Sequence, residues 1–78
     1  MAQLLHNLGV VDRKLGNLDQ ATNMFLRALA IREKLYGMSA PVVADTLEAL
    51  SMTLKEADET EAAAGYLQRA RTIREQNR

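Results

Sequence analysis

The chain has 78 residues, 47% of them apolar and 26% charged, with ten Lys and Arg balancing ten Asp and Glu. That length buries only about 60% of the surface an unfolded chain exposes, which allows one small domain or a piece of a larger array, and the composition excludes a disordered chain. Zero net charge gives no general attraction for nucleic acid or an anionic membrane, so neither is an expected partner. The absence of cysteine excludes disulfides, thiolate metal sites and a cysteine nucleophile. No apolar run approaches the ~20 residues of a membrane span. The opening Met1-Ala2-Gln3-Leu4-Leu5-His6 lacks the features of a signal peptide, and an intracellular, cytoplasmic setting is the expectation.

The first apolar series, Leu4, Leu8, Val11 and Leu15, steps by four, three and four, which predicts a helix over 2–15 that Gly16-Asn17 interrupts. Asn17 with Gln20 reads as a capping box opening a helix over 18–36, whose apolar face carries Ala21, Phe25, Ala28 and Leu29. Gly37 closes that helix after Tyr36. Pro41 suits a first helical position, and Leu47, Leu50 and Leu54 continue a third helix over 41–56. Asp58 with Glu61 reads as a second capping box, opening a helix over 60–76. No segment sustains strand-like alternation, and β-branched and aromatic residues are few.

Sliding the chain by 42 aligns residues 1–36 with 43–78, and nine of the 36 pairs are identical. They are Ala2/Ala44, Leu5/Leu47, Leu8/Leu50, Ala21/Ala63, Arg27/Arg69, Ala28/Ala70, Ile31/Ile73, Arg32/Arg74 and Glu33/Glu75. About two or three would be expected from average composition, so the chain is an internal duplication.

Leu5-x-x-Leu8-Gly9 followed by Ala21-x-x-x-Phe25-x-x-Ala28 resembles the tetratricopeptide repeat, and Leu47-x-x-Leu50-Ser51 with Ala63-x-x-x-Leu67-x-x-Ala70 matches more loosely. The phrases Leu5-His6-Asn7-Leu8 and Arg27-Ala28-Leu29-Ala30-Ile31-Arg32-Glu33-Lys34 resemble the 42-residue repeats of kinesin light chains and nephrocystin-3-like proteins. The resemblance implies an all-α solenoid: two tandem helix-turn-helix repeats, 1–40 and 41–78, forming four antiparallel helices in a right-handed stack. Small residues at Gly9 and Ala28 would let helices approach, with Phe25 filling the remaining space. The expected core is Leu5, Gly9, Ala21, Phe25, Ala28, Leu47, Leu50, Ala63, Leu67 and Ala70, with Leu8 buried beside Phe25. Asp12 stands where the family usually has an aromatic residue, Asp58 replaces the glycine of the first repeat, and Gly65 falls inside the fourth helix.

Catalysis has little to work with. His6 is the single histidine, and neither a nucleophile nor a metal-ligating partner lies at a useful spacing, so no enzyme activity, metal or cofactor is expected. The resemblance implies instead a protein or peptide ligand in a concave groove lined by the first helix of each repeat. Carried over by pattern, that groove holds Gln3, His6, Asn7 and Val10 with Arg13 or Lys14, and Asp45, Glu48, Ala49 and Met52 with Lys55 or Glu56. Asn7 matches the asparagine that related arrays use on a peptide backbone, because an amide donates and accepts at once. Arg27/Arg69 and Arg32/Arg74 read as a solvated face on the second helices. Leu26 and Leu29 are expected to face the following repeat, and their replacement by the polar Gln68 and Arg71 in the second copy leads to the expectation that this is the C-terminal part of a longer array. The stripe Leu4, Leu8, Val11 and Leu15 is the candidate for self-association, which makes a homodimer the rival expectation.

Overall fold

The computed structural model of the protein describes residues 1–77. It contains four helices: α1 (Ala2–Lys14), α2 (Leu18–Tyr36), α3 (Pro41–Glu56) and α4 (Thr60–Gln76), with no strand among the described residues. Each pair is antiparallel: Gln3 near the start of α1 bonds Arg32 near the end of α2, and Asp45 of α3 likewise meets Arg74 of α4. Consecutive helices pack on one another, whereas α1 meets α3 only marginally. The result is an all-α solenoid of two tandem repeats. No helix among the described residues is long and apolar enough to cross a membrane.

The core centres on α3, which packs between α2 and α4. Val43, Ala44, Leu47 and Leu50 have no exposed surface, and the core continues into Ala21, Phe25 and Leu29 of α2 and Ala63, Ala70 and Ile73 of α4. Two threonines, Thr46 and Thr53, are also fully buried there. Their hydroxyls donate to the carbonyls of Val42 and Ala49 one turn back, at 3.4 and 2.8 Å, so neither is an unsatisfied polar group.

The first pair is set by one close approach. An alanine Cβ at Gly9 would lie 2.8–2.9 Å from three atoms of the Phe25 ring, which is fully buried. Leu5 and the small residues Ala21 and Ala28 complete the buried seam. In the second pair Ser51 takes the place of Gly9 and its hydroxyl donates to the Ala63 carbonyl at 2.8 Å. Leu67, in the place of Phe25, is only half-buried, contrary to its place in the expected core. A leucine is shorter than a phenyl ring, and an apolar cleft of about 200 Å³ remains beside Ser51, Ala63, Ala64 and Leu67.

Three further expectations are corrected. Leu8 is 43% exposed, because it points away from α2 along the outer stripe of α1 while Leu5 and Gly9 take the inner face. Leu29 is buried, yet Leu26 lies one turn back and remains exposed, so only Leu29 of that pair is covered. Neither capping box forms, since no N-cap side chain bonds into its helix. The backbone supplies the turn instead. Gly16 N–H donates to the Arg13 carbonyl at 3.0 Å and Asn17 N–H to the Asp12 carbonyl at 2.8 Å, a Schellman closure of α1 with Leu15 as its C-cap. The same bonds recur 42 residues on, from Asp58 to Lys55 at 3.1 Å and from Glu59 to Leu54 at 2.9 Å. Gly16 and Asp58 accordingly hold positive φ, 83° and 63°, and α4 begins from Glu59 rather than Asp58. Aspartate is one of the few side chains that tolerates this conformation.

The helical glycines lead to opposite expectations. Gly9→Ala drives a methyl into the Phe25 ring and lowers the melting temperature. Gly65→Ala fills open space, since nothing lies within 4 Å of its Cβ position, and raises stability by about 0.5–1 kcal/mol. Phe25→Ala costs about 3–5 kcal/mol, comparable with the whole stability of a small domain. Thermal melts of the three variants check the set, and a Phe25→Ala protein melting within a few degrees of the parent would contradict the packing described.

Candidate functional site

The face shared by α1 and α3 follows from the repeat. Gln3, His6, Val10 and Arg13 step along one side of α1, and Asp45, Glu48, Met52 and Lys55 occupy the same positions 42 residues later on α3. Because α1 and α3 scarcely touch, a cavity of about 440 Å³ opens between them, within the usual range of ligand sites. Its walls are Gln3 and His6 from α1, with Val42, Asp45, Glu48, Ala49 and Met52 from α3, and its floor is Arg32 from α2.

Arg32 is the principal correction to the sequence-based expectation. It is 4% exposed, not part of a solvated face. Its Nη2 donates to Gln3 Oε1 at 3.0 Å, and its Nη1 donates to Thr46 Oγ1 at 2.9 Å and the Val42 carbonyl at 3.4 Å. Arg74, its equivalent in the second repeat, donates from Nη2 to Asp45 Oδ1 at 2.5 Å and Glu48 Oε1 at 2.8 Å. These two carboxylates stand at the positions of Gln3 and His6 in the first repeat. The bonds to Glu48 and Asp45 raise the Arg74 pKa above its ordinary value. Of the remaining arginines in this reading, Arg69 pairs with Glu33 at 2.6 Å and Arg27 is exposed.

His6 is half-buried. Its ring stands edge-to-face on Phe25, with centroids 5.2 Å apart, and its Nδ1 is buried without a hydrogen-bond partner. Burial, seconded by the nearby Arg32 charge and opposed by Asp45, lowers its pKa below the usual 6.5, so the ring is neutral at pH 7.

The cavity thus gathers Gln3, His6, Asp45, Glu48 and Met52 of the residues singled out from the sequence, and Ala49 with them. Asn7 does not line it: the side chain is exposed, and its Oδ1 accepts a bond from Gln3 Nε2 at 3.0 Å. Val10 is half-buried and packs on the core. Arg13 reaches across to Glu56 at 3.3 Å and bridges α1 to α3 at the far end of the face, while Lys14 and Lys55 are exposed. Arg32 and Val42 were missed. The available signal was helical spacing, since Arg32 lies four residues beyond Ala28 on the face that carries Ala21 and Phe25.

Among the described residues no group of three or more His, Cys, Asp or Glu could hold a metal ion. The stripe of Leu4, Leu8, Val11 and Leu15 lies outside the cavity and is exposed along its whole length.

The chain matches no curated protein. A family model described as Tetratricopeptide repeat matches residues 1–76, the span that contains all four helices. With the 42-residue duplication, the Gly9–Phe25 packing and the groove between the first helices, that match settles the assignment: the chain belongs to the tetratricopeptide repeat family.

Proposed function

We propose that the groove between α1 and α3 holds an extended peptide segment of a partner protein, and that the chain acts without catalysis of its own. Tetratricopeptide repeats are in general protein–protein interaction modules. The observation carrying the finer reading is the cavity of about 440 Å³, walled by equivalent positions of both repeats and floored by Arg32. Met52 and Ala49 offer apolar contact, Asp45 and Glu48 offer acceptors, and Gln3 can both donate and accept. Asn7 belongs to the rim of the proposed site, with its amide N–H free to meet a peptide carbonyl beyond the Gln3 contact.

Self-association is the second reading, favoured by the unbroken exposure of Leu4, Leu8, Val11 and Leu15. Two routes lead to it: direct contact through α1, or exchange of a helix pair through the segment from Gly37 to Pro41.

Peptides selected from a displayed random library on the monomeric chain test the groove. Met52→Glu and Glu48→Lys are expected to weaken the selected peptides at least tenfold, about 1.4 kcal/mol, while Arg71→Glu on exposed α4 leaves affinity unchanged. Asn7→Ala costs ~0.5–1.5 kcal/mol across unrelated peptides, the net value of one hydrogen bond to the backbone. Peptides that bind equally well to all these variants sit elsewhere, and the groove reading falls.

The depressed pKa of His6 gives a separate test of the site's electrostatics. A histidine held neutral by the fold binds its proton more readily when unfolded, so its contribution is full above the unfolded pKa of about 6.5 and is lost as pH falls through the lower folded value. Denaturation midpoints are expected to fall between pH 7.5 and 5, and the part due to His6 to vanish in His6→Gln. An identical pH dependence in the two proteins would show that the ring is not held neutral.

A further inference from the structure

We propose that the cleft between the end of α3 and the start of α4 docks an aromatic side chain carried on a basic segment of a partner protein, at a site separate from the groove. Its walls are Ser51 and Lys55 of α3 with Thr60, Ala63, Ala64 and Leu67 of α4, and its volume is about 200 Å³. An apolar cavity of ~150 Å³ is enough to hold benzene. The Ser51 hydroxyl is already engaged with the Ala63 carbonyl, and a lysine such as Lys55 lines an apolar wall with its methylene stem.

The first repeat shows what this place holds. The same six positions there are Gly9, Arg13, Leu18, Ala21, Thr22 and Phe25. Leu18 becomes Thr60, Thr22 becomes Ala64 and Phe25 becomes Leu67, each a loss of side-chain volume that Ser51, in place of Gly9, makes good only in part. Phe25 is fully buried and Leu18 and Thr22 are half-buried, whereas Thr60 and Ala64 are exposed and Leu67 is half-buried. The space that a phenyl ring fills from within the first repeat therefore stands open in the second, and its exposed edge leaves it reachable from outside. Aromatic side chains seated in such pockets are the usual anchors of a protein contact.

The charge at the mouth is a second departure from the first repeat. Gly16, Asn17 and Asp19 of the first turn become Asp58, Glu59 and Glu61. These three carboxylates border an adjoining hollow that shares Thr60 with the cleft, and among the described residues none of them is in an ion pair. They outnumber Lys55, so the mouth of the cleft attracts positive charge. Arg71 is exposed one turn beyond Leu67, at the opposite end, which sets the basic residues of the partner on the side of the turn. Where the second repeat lost a ring it also gained two carboxylates, and an aromatic residue beside Lys or Arg answers both changes. An acidic or uncharged segment answers only the first.

The blocked pentapeptide Lys-Lys-Phe-Lys-Lys, titrated into the chain and followed by backbone amide shifts in nuclear magnetic resonance, tests the site. Binding is expected to move Ser51, Ala63, Ala64 and Leu67 and to leave Gln3 and His6 of the groove in place. Replacing the peptide's Phe by Ala, or its lysines by glutamates, is expected to weaken binding at least tenfold. Two variants close the cleft in different ways. Ala64→Leu, at an exposed position, lays a side chain over it, and Ser51→Gly with Leu67→Phe rebuilds the packed pair of the first repeat. Each is expected to keep the helical circular-dichroism spectrum and to bind the peptide at least tenfold more weakly. Equal binding of the alanine peptide would reduce the contact to charge alone, and equal binding of the glutamate peptide would leave a cleft with no selection for a base. Unchanged binding to both closed variants, or shifts confined to the groove, would put the peptide elsewhere. A mass that doubles with concentration in the parent but not in Ala64→Leu would assign the cleft to a second copy. Each of these results, or no binding at millimolar peptide, overturns the proposal and leaves the groove reading to its own test.

Discussion

Arg32 binds three helices at once. Rooted in α2, its guanidinium holds Gln3 of α1 and both Thr46 and the Val42 carbonyl of α3. Since α1 and α3 barely meet directly, this side chain ties them together at one end of the groove, as the Arg13–Glu56 pair does at the other. Its partners are neutral oxygens, which satisfy the guanidinium's donors without cancelling its charge. Hydrogen bonds to a charged group are each worth about 1.5–3 kcal/mol, and the loss of Arg32 would leave the Gln3 and Thr46 side chains without the donor they share. The positive charge it leaves under the groove also helps to hold His6 neutral.

The two repeats meet the same geometric demands with different chemistry. Arg74 repeats the role of Arg32, yet it reaches two carboxylates from an exposed position, where ion pairs are screened and contribute little. The close approach of α1 and α2 relies on a missing side chain, Gly9, and a large ring, Phe25. The approach of α3 and α4 relies on a hydroxyl that bonds the facing backbone, leaving Leu67 less well covered. Duplication preserved the positions of the contacts more faithfully than their nature.

Much of the fold was legible because it depends on spacing. The breaks at Gly16 and Pro41 and the apolar steps between them mark out four helices, and the identical pairs at a separation of 42 reveal the duplication. The turns were misread, because Asn17 with Gln20 and Asp58 with Glu61 look like capping boxes while a backbone Schellman closure serves both sites. Gly16 carried the correct signal, and Asp58 hid its counterpart. Gln3, His6, Asp45, Glu48 and Met52 could be placed on one face from periodicity and the family resemblance. Arg32 was misread because of its charge: it continues the steps of Ala21, Phe25 and Ala28 by four, which puts it on the buried face of α2. Asn7 fails for the opposite reason: its helical position is near the groove, but Gln3 draws its amide along the helix surface.

The order of helix contacts has a consequence for how the chain reaches this state. α1 packs on α2, α2 on α3 and α3 on α4, with little that joins more distant segments. Each interface closes a short loop of chain, so contact order is low and the search for the native topology is brief. No single distant pairing has to form before the others. Folding can begin at either helical hairpin and spread to its neighbour, as in other linear arrays. The outer helices α1 and α4 each lean on one principal neighbour and α3 on two. Local opening therefore starts at the ends and reaches α3 last, and the groove, with one wall on α1, is the first feature to loosen.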